Sequence, residues 1–291
     1  MTTFAIPSVH SRRRGVVLAV LAVMCLSTSP VFVRWATPLA PYEVTAWRMF
    51  IAALSVGALA TAQRQWPRLR RADWPRFGLF GLITALHFFG YIASLSFTTI
   101  AHSLTIVYTA PVFVALFSGL FLHEPISRRK WGGVMVVVVG IAVLAGFEPR
   151  MTPRMLLGDG LALLSAVMFG FYSVAGRSQR SRYPLLTYTF FVYMLAALWM
   201  APVAVATATP AGYGWRQVLS LASLGVLTLG LGHTLYNAAL RHMNATYVNL
   251  IASQEVTGGI LLGILFLGEI PGPNAIAGVV ITLVGIAIVL V

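Results

Sequence analysis

Charged residues are scarce in this sequence. Only 9% of its 291 residues are Asp, Glu, Lys or Arg, and 58% are hydrophobic. Soluble domains carry about 25% charged residues, so the composition excludes an ordinary soluble protein and predicts an all-α polytopic membrane protein. In a soluble chain the net charge of +13 would suggest nucleic acid as a partner. Here the arginines cluster in loops between apolar runs, so the expected partner is the lipid bilayer and not nucleic acid.

Several chemical motifs are also missing. The single cysteine, Cys25, excludes an internal disulfide, and no Cys/His spacing typical of a metal site is present. Neither a Walker A sequence nor His-Glu-x-x-His occurs. A membrane-embedded enzyme is the less favoured alternative. Gly158-Asp159-Gly160 is similar to the motif of intramembrane aspartyl proteases, but no second aspartate lies within a span. We therefore expect no catalytic residue, no metal and no cofactor.

The apolar runs divide into ten predicted membrane spans, since about 20 apolar residues cross the hydrocarbon core. The predicted spans are Gly15–Val33, Glu43–Ala62, Pro75–Ser96, His102–Leu122, Trp131–Phe147, Leu156–Gly176, Pro184–Ala206, Trp215–Leu240, Thr246–Leu267 and Asn274–Val291. A cleavable signal peptide is the alternative for the first run. Pro30 lies where the mature chain would begin and no small-residue cleavage site follows, so we favour a membrane span.

The basic residues orient these spans. Fifteen of the 20 fall on the side of the N-terminus and of the loops after even-numbered spans: Arg12, Arg13, Arg14, Arg64, Arg68, Arg70, Arg71, Arg76, Arg128, Arg129, Lys130, Arg177, Arg180, Arg182 and Arg241. Four fall on the other side, namely Arg34, Arg150, Arg154 and Arg216. The positive-inside rule then predicts a multi-pass protein of the cytoplasmic (inner) membrane with both termini in the cytoplasm.

The two halves of the chain repeat each other. A shift of 145 residues places Phe121–Glu124 on Phe266–Glu269 and Gly140–Ala142 on Gly285–Ala287. Each half holds five spans, and an odd number means that the second half enters the membrane inverted. Inverted repeats are typical of transporters whose site lies at the repeat interface. Because one chain holds both repeats, we expect a monomer with an internal pseudo-two-fold axis.

The repeat defines the expected domain boundaries. Residues 1–14 form a cytoplasmic N-terminal segment, and residues 15–147 form the first repeat. An extracytoplasmic linker, residues 148–155, leads to the second repeat at residues 156–291.

Both copies carry a short motif at the end of their fourth span. Leu-His-Glu-Pro (Leu122–Pro125) and Leu-Gly-Glu (Leu267–Glu269) are each followed by a glycine-spaced last span, and Arg48 and Pro111 fit the same pattern. These residues resemble the EamA repeat of the ten-helix drug/metabolite transporter superfamily. Within that superfamily the chain is most similar to the aromatic amino-acid exporters, which implies export of a small-molecule substrate.

The ninth predicted span, Thr246–Leu267, carries Gln254 and Glu255 near its centre. A charged side chain at the centre of a membrane helix costs about 2.5–3.5 kcal/mol on insertion scales. Two explanations stay open: Glu255 lies on a substrate or ion path, or it forms a structural or gating pair with Arg48, the one arginine or lysine in the interior of a span. On a regular helix Glu255 points away from the polar arc of Asn249 and Ser253, which favours the pair unless Gly258–Gly259 unwinds.

Polar residues concentrate in the third, fourth, eighth and ninth spans, whereas the fifth and tenth are apolar and are expected at the periphery. The candidate pathway or substrate-binding residues are His87, Tyr91, Tyr108, His233, Tyr236, Asn237, Ser253, Gln254 and Glu255. Each histidine or tyrosine alone is as compatible with packing, but two repeat-related His/Tyr clusters favour a cavity.

This set of side chains suits an aromatic or other apolar amino acid. Aromatic rings match the side chain, while the amides and histidines suit the zwitterionic end. Arg48 alone is too little positive charge for a strongly anionic substrate. The sequence therefore predicts export of amino acids by alternating access, and the alternative is export of other small metabolites or drugs. Protons are a candidate coupling ion, and facilitated diffusion stays open.

Overall fold

The computed structural model describes residues 9–65, 68–123, 127–146, 152–179, 181–209 and 212–290, and every regular element in these ranges is helical. The helices are α1 (Val9–Leu26), α2 (Ser29–Trp35), α3 (Pro41–Ala62), α4 (Trp74–Phe97), α5 (Ile100–Val107), α6 (Ala110–Leu122), α7 (Arg128–Gly146), α8 (Pro153–Ser178), α9 (Leu185–Ala206), α10 (Trp215–Ser223), α11 (Thr234–Ala239), α12 (Ala245–Ala252), α13 (Glu255–Leu267) and α14 (Pro273–Leu290). A 3-10 turn, Arg71–Asp73, leads into α4, and a π-helical segment, Leu224–His233, joins α10 to α11.

The helices confirm an all-α polytopic membrane fold. Seven helical segments in the described ranges are long and apolar enough to cross a membrane, from Pro41–Ala62 with 22 residues to Arg71–Phe97 with 27. The other three predicted spans correspond to α7, to α12 followed by α13, and to α14. Six residues named above lie outside the described residues, namely Glu124, Pro125, Phe147, Arg150, Arg180 and Val291.

Two spans are interrupted at equivalent places in the two repeats. The fourth span breaks at Tyr108–Thr109, between α5 and α6, and the ninth breaks at Ser253–Gln254, between α12 and α13. A shift of 145 residues superimposes one break on the other. At both, an amide binds the carbonyl three residues earlier: Thr109 N to Ile106 O at 3.0 Å and Gln254 N to Ile251 O at 3.1 Å. The duplication therefore extends to the irregular backbone.

The sequence predicts that the ninth span continues through Ser253 and that any unwinding occurs at Gly258–Gly259. This predicted position of the break is wrong. Both glycines lie inside α13. A Cβ at Gly258 would collide with the Ser27 hydroxyl, and a Cβ at Gly259 would lie 2.5 Å from Leu104 Cδ1. These glycines therefore let α13 approach its neighbours closely. In the fourth span Pro111 is the second residue of α6, and its missing N–H favours a break just before this helix.

Two arginines mark the inverted symmetry. Arg34 donates to the carbonyls of Leu95 and Thr98 at the end of α4. Arg177 donates to the carbonyls of Leu240 and Met243 after α11, the latter at 2.8 Å. The 145-residue shift relates these two pairs of carbonyls (95 to 240 and 98 to 243). Each arginine thus satisfies carbonyls that a helix end leaves without intrahelical partners.

These arginines lie at opposite ends of the helix bundle. We call the end that holds Arg34, Arg154 and Glu269 the Arg34 end, and the end that holds Asp73, Arg177 and Arg241 the Arg177 end. Glu269 bonds to Arg34 at 3.2 Å at the first. At the second, Arg182 lies 3.3 Å from the Asp73 carboxylate and Arg241 donates to Tyr183 O at 2.8 Å.

Helices α7 and α14 pack chiefly against each other, away from the polar spans. A Cβ at Gly285 would lie 2.6 Å from the backbone nitrogen of Val137, and one at Gly140 would lie 2.6 Å from that of Thr282. Small residues allow such close backbone approach between membrane helices. The remaining helices surround the polar centre of the molecule, which holds the candidate site.

Candidate functional site

A small closed cavity lies among helices from both repeats. Its lining consists of Arg48, His87, Phe88, Tyr91, Val107, Tyr108, Phe169, His233 and Glu255. These side chains come from α3, α4, α5, α8, the π-helical segment and α13, with Tyr108 at the break that follows α5. The cavity volume is about 20 Å³, which is close to the space of one water molecule. All nine lining residues are at most 5% exposed, so the structure holds the site in a closed form.

The cavity lies near the pseudo-two-fold axis. The 145-residue shift relates Phe88 to His233, and these two rings contact each other edge to face with centroids 4.8 Å apart. Repeat-related residues can touch only near the axis that relates them. The cavity thus occupies the repeat interface, where transporters with inverted repeats bind substrate.

Arg48 is the basic residue of the cavity. Its side chain is almost fully buried, with 1% exposure. One guanidinium nitrogen donates to Ser29 Oγ at 3.0 Å, and the guanidinium carbon lies 4.6 Å from the centroid of Phe88. The buried Nε has no hydrogen-bond partner in the structure. The hydroxyl of Tyr91 lies close to both Ser29 and Arg48.

Glu255 is the acidic residue of the cavity and the first residue of α13. The break at Ser253–Gln254 places it there, where free helix N–H groups favour negative charge by about 0.3–1 kcal/mol. The Tyr108 hydroxyl donates to its carboxylate. The direct ion pair with Arg48 that the sequence favoured is not formed between these two described side chains. Arg48 bonds to Ser29 instead, and Glu255 bonds to Tyr108.

Two histidines and an aromatic wall complete the lining. The rings of His87 and His233 have centroids 6.5 Å apart, and His87 stacks on Phe169 at 4.6 Å. Nδ1 of His87 bonds to the Ser165 carbonyl at 3.0 Å and hydroxyl at 2.9 Å. Nδ1 of His233 is buried without a hydrogen-bond partner. His87 is therefore fixed by α8, whereas His233 keeps hydrogen-bonding capacity.

The other predicted site residues do not line this cavity. Tyr236 bonds to Ser173 Oγ at 2.6 Å, and Asn237 donates to Tyr172 Oη at 2.5 Å, so both belong to a buried network beside the lining. Ser253 is buried at the break and is not among the residues that line the cavity. Gln254 is exposed and lies outside the lining.

Sequence reasoning missed Ser29, Phe88 and Phe169. Ser29 belongs to Ser27-Thr28-Ser29-Pro30, a polar run before a proline inside an apolar span, and that run is a usable signal of a break. The phenylalanines lie among many apolar residues and differ from them only by position. No cluster of three or more His, Cys, Asp or Glu side chains suited to a metal ion occurs in the described part of the chain.

A second polar group lies toward the Arg34 end. His102 Nδ1 is 3.3 Å from the Asp159 carboxylate, which ties α5 to α8. Glu269 accepts from the Ile100 amide at 2.5 Å, so it anchors the start of α5 as well as Arg34. A pocket of about 270 Å³ adjoins these residues and is lined by the loop between α13 and α14. Asp159, the residue behind the protease alternative, is thus engaged by a histidine.

A duplicated helical membrane fold with a polar cavity at the repeat interface defines a membrane transporter. The chain matches the EamA-like transporter family over residues 13–146 and again over residues 156–291. It therefore belongs to that family, which confirms the resemblance found in the sequence.

Individual relatives are exporters. The chain is 29% identical over 277 residues to the pseudopaline exporter of Pseudomonas aeruginosa (strain UCBPP-PA14), covering 94% of each chain. It is 26% identical over 188 residues to a probable terminal-alkyne amino-acid exporter of Streptantibioticus cattleyicolor, covering 62% of this chain and 60% of that one. A crystal structure with 19% sequence identity matches with a TM-score of 0.74 over 94% of this chain and 95% of the other, which supports the fold.

Proposed function

We propose that the protein exports an amino-acid-type metabolite across the cytoplasmic membrane by alternating access. The observation that carries the proposal is the composition of the cavity at the repeat interface: one guanidinium, one carboxylate and a wall of aromatic and imidazole rings. The similarity to a probable terminal-alkyne amino-acid exporter supports this substrate class, and the similarity to a pseudopaline exporter supports export of a small molecule. Other small metabolites or drugs are the second candidate, since the family match alone does not select among them.

The closed cavity is consistent with one stage of such a cycle. Ligand pockets in proteins usually measure about 300–1,000 Å³, whereas this cavity measures about 20 Å³. Substrate entry therefore requires the helices around it to separate. The broken spans supply pairs of short helices, α5 with α6 and α12 with α13, that can tilt separately about Tyr108–Thr109 and Ser253–Gln254.

Transport in reconstituted vesicles tests the proposal. We expect vesicles loaded with phenylalanine to accumulate labelled phenylalanine by counterflow, and unlabelled aromatic and other apolar amino acids to compete. His87→Ala should weaken apparent affinity by about tenfold and lower protein yield much less than that, because it removes a ring that lines the cavity and stacks on Phe169. His242→Ala, outside the cavity lining, is the control. Absence of exchange with all twenty amino acids would contradict the proposed substrate class.

For orientation, we propose that the Arg177 end faces the cytoplasm, because fifteen of the 20 basic residues belong to that side. Single cysteines at Arg68 and Arg182, in a Cys25→Ser background, should react with a membrane-impermeant thiol reagent from the inside only. A cysteine at Arg154 should react from outside. Labelling of positions 68 and 182 from opposite sides would refute both the orientation and the number of intervening spans.

A further inference from the structure

We infer that the cavity binds a zwitterion in one fixed direction, with the substrate carboxylate at Arg48 and Ser29 and its ammonium group at Glu255 and Tyr108. This inference rests on the proposed function and specifies its substrate class. It follows from the placement of the two opposite charges in one cavity without a direct contact between them.

The first step concerns Arg48. A guanidinium taken out of water loses several kcal/mol of hydration unless an anion and hydrogen bonds replace the water. Arg48 is 1% exposed; it donates to one serine hydroxyl at 3.0 Å, faces the ring of Phe88 and has the Tyr91 hydroxyl close by. Its Nε–H is buried without a partner. The guanidinium fork therefore keeps donors for a carboxylate, the group that it binds most specifically through two parallel hydrogen bonds.

The second step concerns Glu255. An ionised carboxylate accepts up to about four hydrogen bonds, and one of its oxygens receives the Tyr108 hydroxyl. Acceptor capacity remains for an ammonium group, which has three N–H donors. The start of α13 holds Glu255 against the cavity. The ammonium group of a substrate would thus meet an anion that its surroundings already fix in place.

The third step compares charge types. Of the nine lining residues, Arg48 and Glu255 are the cation and the carboxylate. A substrate with only a carboxylate would leave Glu255 unmatched, and a simple amine would leave Arg48 unmatched. A zwitterion satisfies both charges. Because the lining rings of Phe88, Phe169 and the histidines provide the rest of the wall, the uncharged part of the substrate is best an apolar or aromatic side chain.

The test uses the reconstituted full-length protein, with labelled phenylalanine as the probe and two analogues as competitors. Phenethylamine lacks the carboxylate, and 3-phenylpropanoate lacks the ammonium group. We expect each analogue to compete about tenfold to a hundredfold more weakly than phenylalanine, which is the usual cost of losing one charged hydrogen-bonding group. If either analogue competes as well as phenylalanine, the two-ended site is wrong.

Two variants test the direction of binding. Arg48→Gln should reduce the discrimination against phenethylamine to threefold or less and keep that against 3-phenylpropanoate. Glu255→Gln should show the reverse. Lys130→Gln, outside the lining, should keep both discriminations. Wild-type discrimination in both variants, or the opposite assignment, overturns the proposed direction. If Arg48→Gln does not fold, Arg48→Lys replaces it, and the wild-type analogue series decides independently.

The outcomes separate this inference from the proposed function. Phenylalanine exchange without discrimination between the analogues would retain amino-acid transport and overturn the two-ended site. No exchange of any amino acid would overturn the proposed function itself.

Discussion

Replacing Glu255 by glutamine should leave the protein abundant and reduce phenylalanine counterflow by at least tenfold. Glutamine keeps an oxygen that can accept from the Tyr108 hydroxyl, so the hydrogen bond at the start of α13 survives. Since Glu255 and Arg48 do not touch, the substitution breaks no ion pair. The lost charge removes the anion of the cavity and, with it, the proposed partner for an ammonium group. Protein yield, thermal unfolding in detergent and counterflow measure the two effects separately.

A second buried carboxylate in the same chain provides the matched control. Glu43 is 1% exposed and accepts from Ala40 N at 3.0 Å, Thr209 N at 2.9 Å, Thr209 Oγ1 at 2.6 Å and Tyr213 Oη at 3.0 Å. Glutamine cannot accept all four, and each buried group left without a partner costs about 1–3 kcal/mol. Glu43→Gln should therefore lower the unfolding temperature and keep transport per folded molecule.

The reverse pattern would contradict this account. If Glu255→Gln lowers the yield as Glu43→Gln does and the surviving protein transports normally, Glu255 is a structural residue. The cavity would then bind its substrate without Glu255 as an anionic partner.

The architecture could be predicted from the sequence because bilayer thickness and loop charge constrain every span in the same way. The run of Trp215–Leu240 marks a crossing whether or not its middle is π-helical. The break in the ninth span was also accessible: Pro111 marks the break in the fourth span, and the 145-residue shift carries it to Ser253–Gln254. The two glycines nearby favour unwinding at their own position, so the sequence predicts the break at the wrong place.

The site could be predicted only in part. Six of the predicted residues line the cavity, namely Arg48, His87, Tyr91, Tyr108, His233 and Glu255. A polar residue in an apolar span is informative because burying it requires a partner. The identity of that partner depends on packing between distant helices, so the sequence paired Glu255 with Arg48 where the structure pairs it with Tyr108. Phe88 and Phe169 could not be distinguished from ordinary core residues.

The same limit applies to Arg34 and Arg177. In the sequence both are loop charges that contribute to the orientation of the chain. In the structure each binds backbone carbonyls at a helix end, and Arg177 is 6% exposed. The carbonyl partners carry no sequence signal of their own. The 145-residue relation between these carbonyl partners becomes visible only when the helices are placed together. From this relation we infer that each arginine holds one end of the bundle closed.

Removing the carboxylate at position 269 should open the Arg34 end. Glu269 links Arg34 to the start of α5 through the Ile100 amide, so Glu269→Ala breaks both connections at once. The pair is partly exposed, with 30% and 26% of the two side chains accessible, so each connection alone is worth about 1 kcal/mol or less. At about 0.7 kcal/mol for each connection, the two add to about 1.4 kcal/mol, and that difference shifts the population of the open form about tenfold.

A cysteine at Val107 reports this opening, because Val107 lines the closed cavity and is 4% exposed. In a Cys25→Ser background, Val107→Cys should react about tenfold faster with an impermeant thiol reagent added at the Arg34 end when Glu269→Ala is also present. Asp73→Ala, which breaks the Arg182 contact at the opposite end, should not raise that rate. Equal labelling rates with and without Glu269→Ala would mean that the Arg34–Glu269 pair does not hold this end closed, and that closure depends on the packing of α5 against α13.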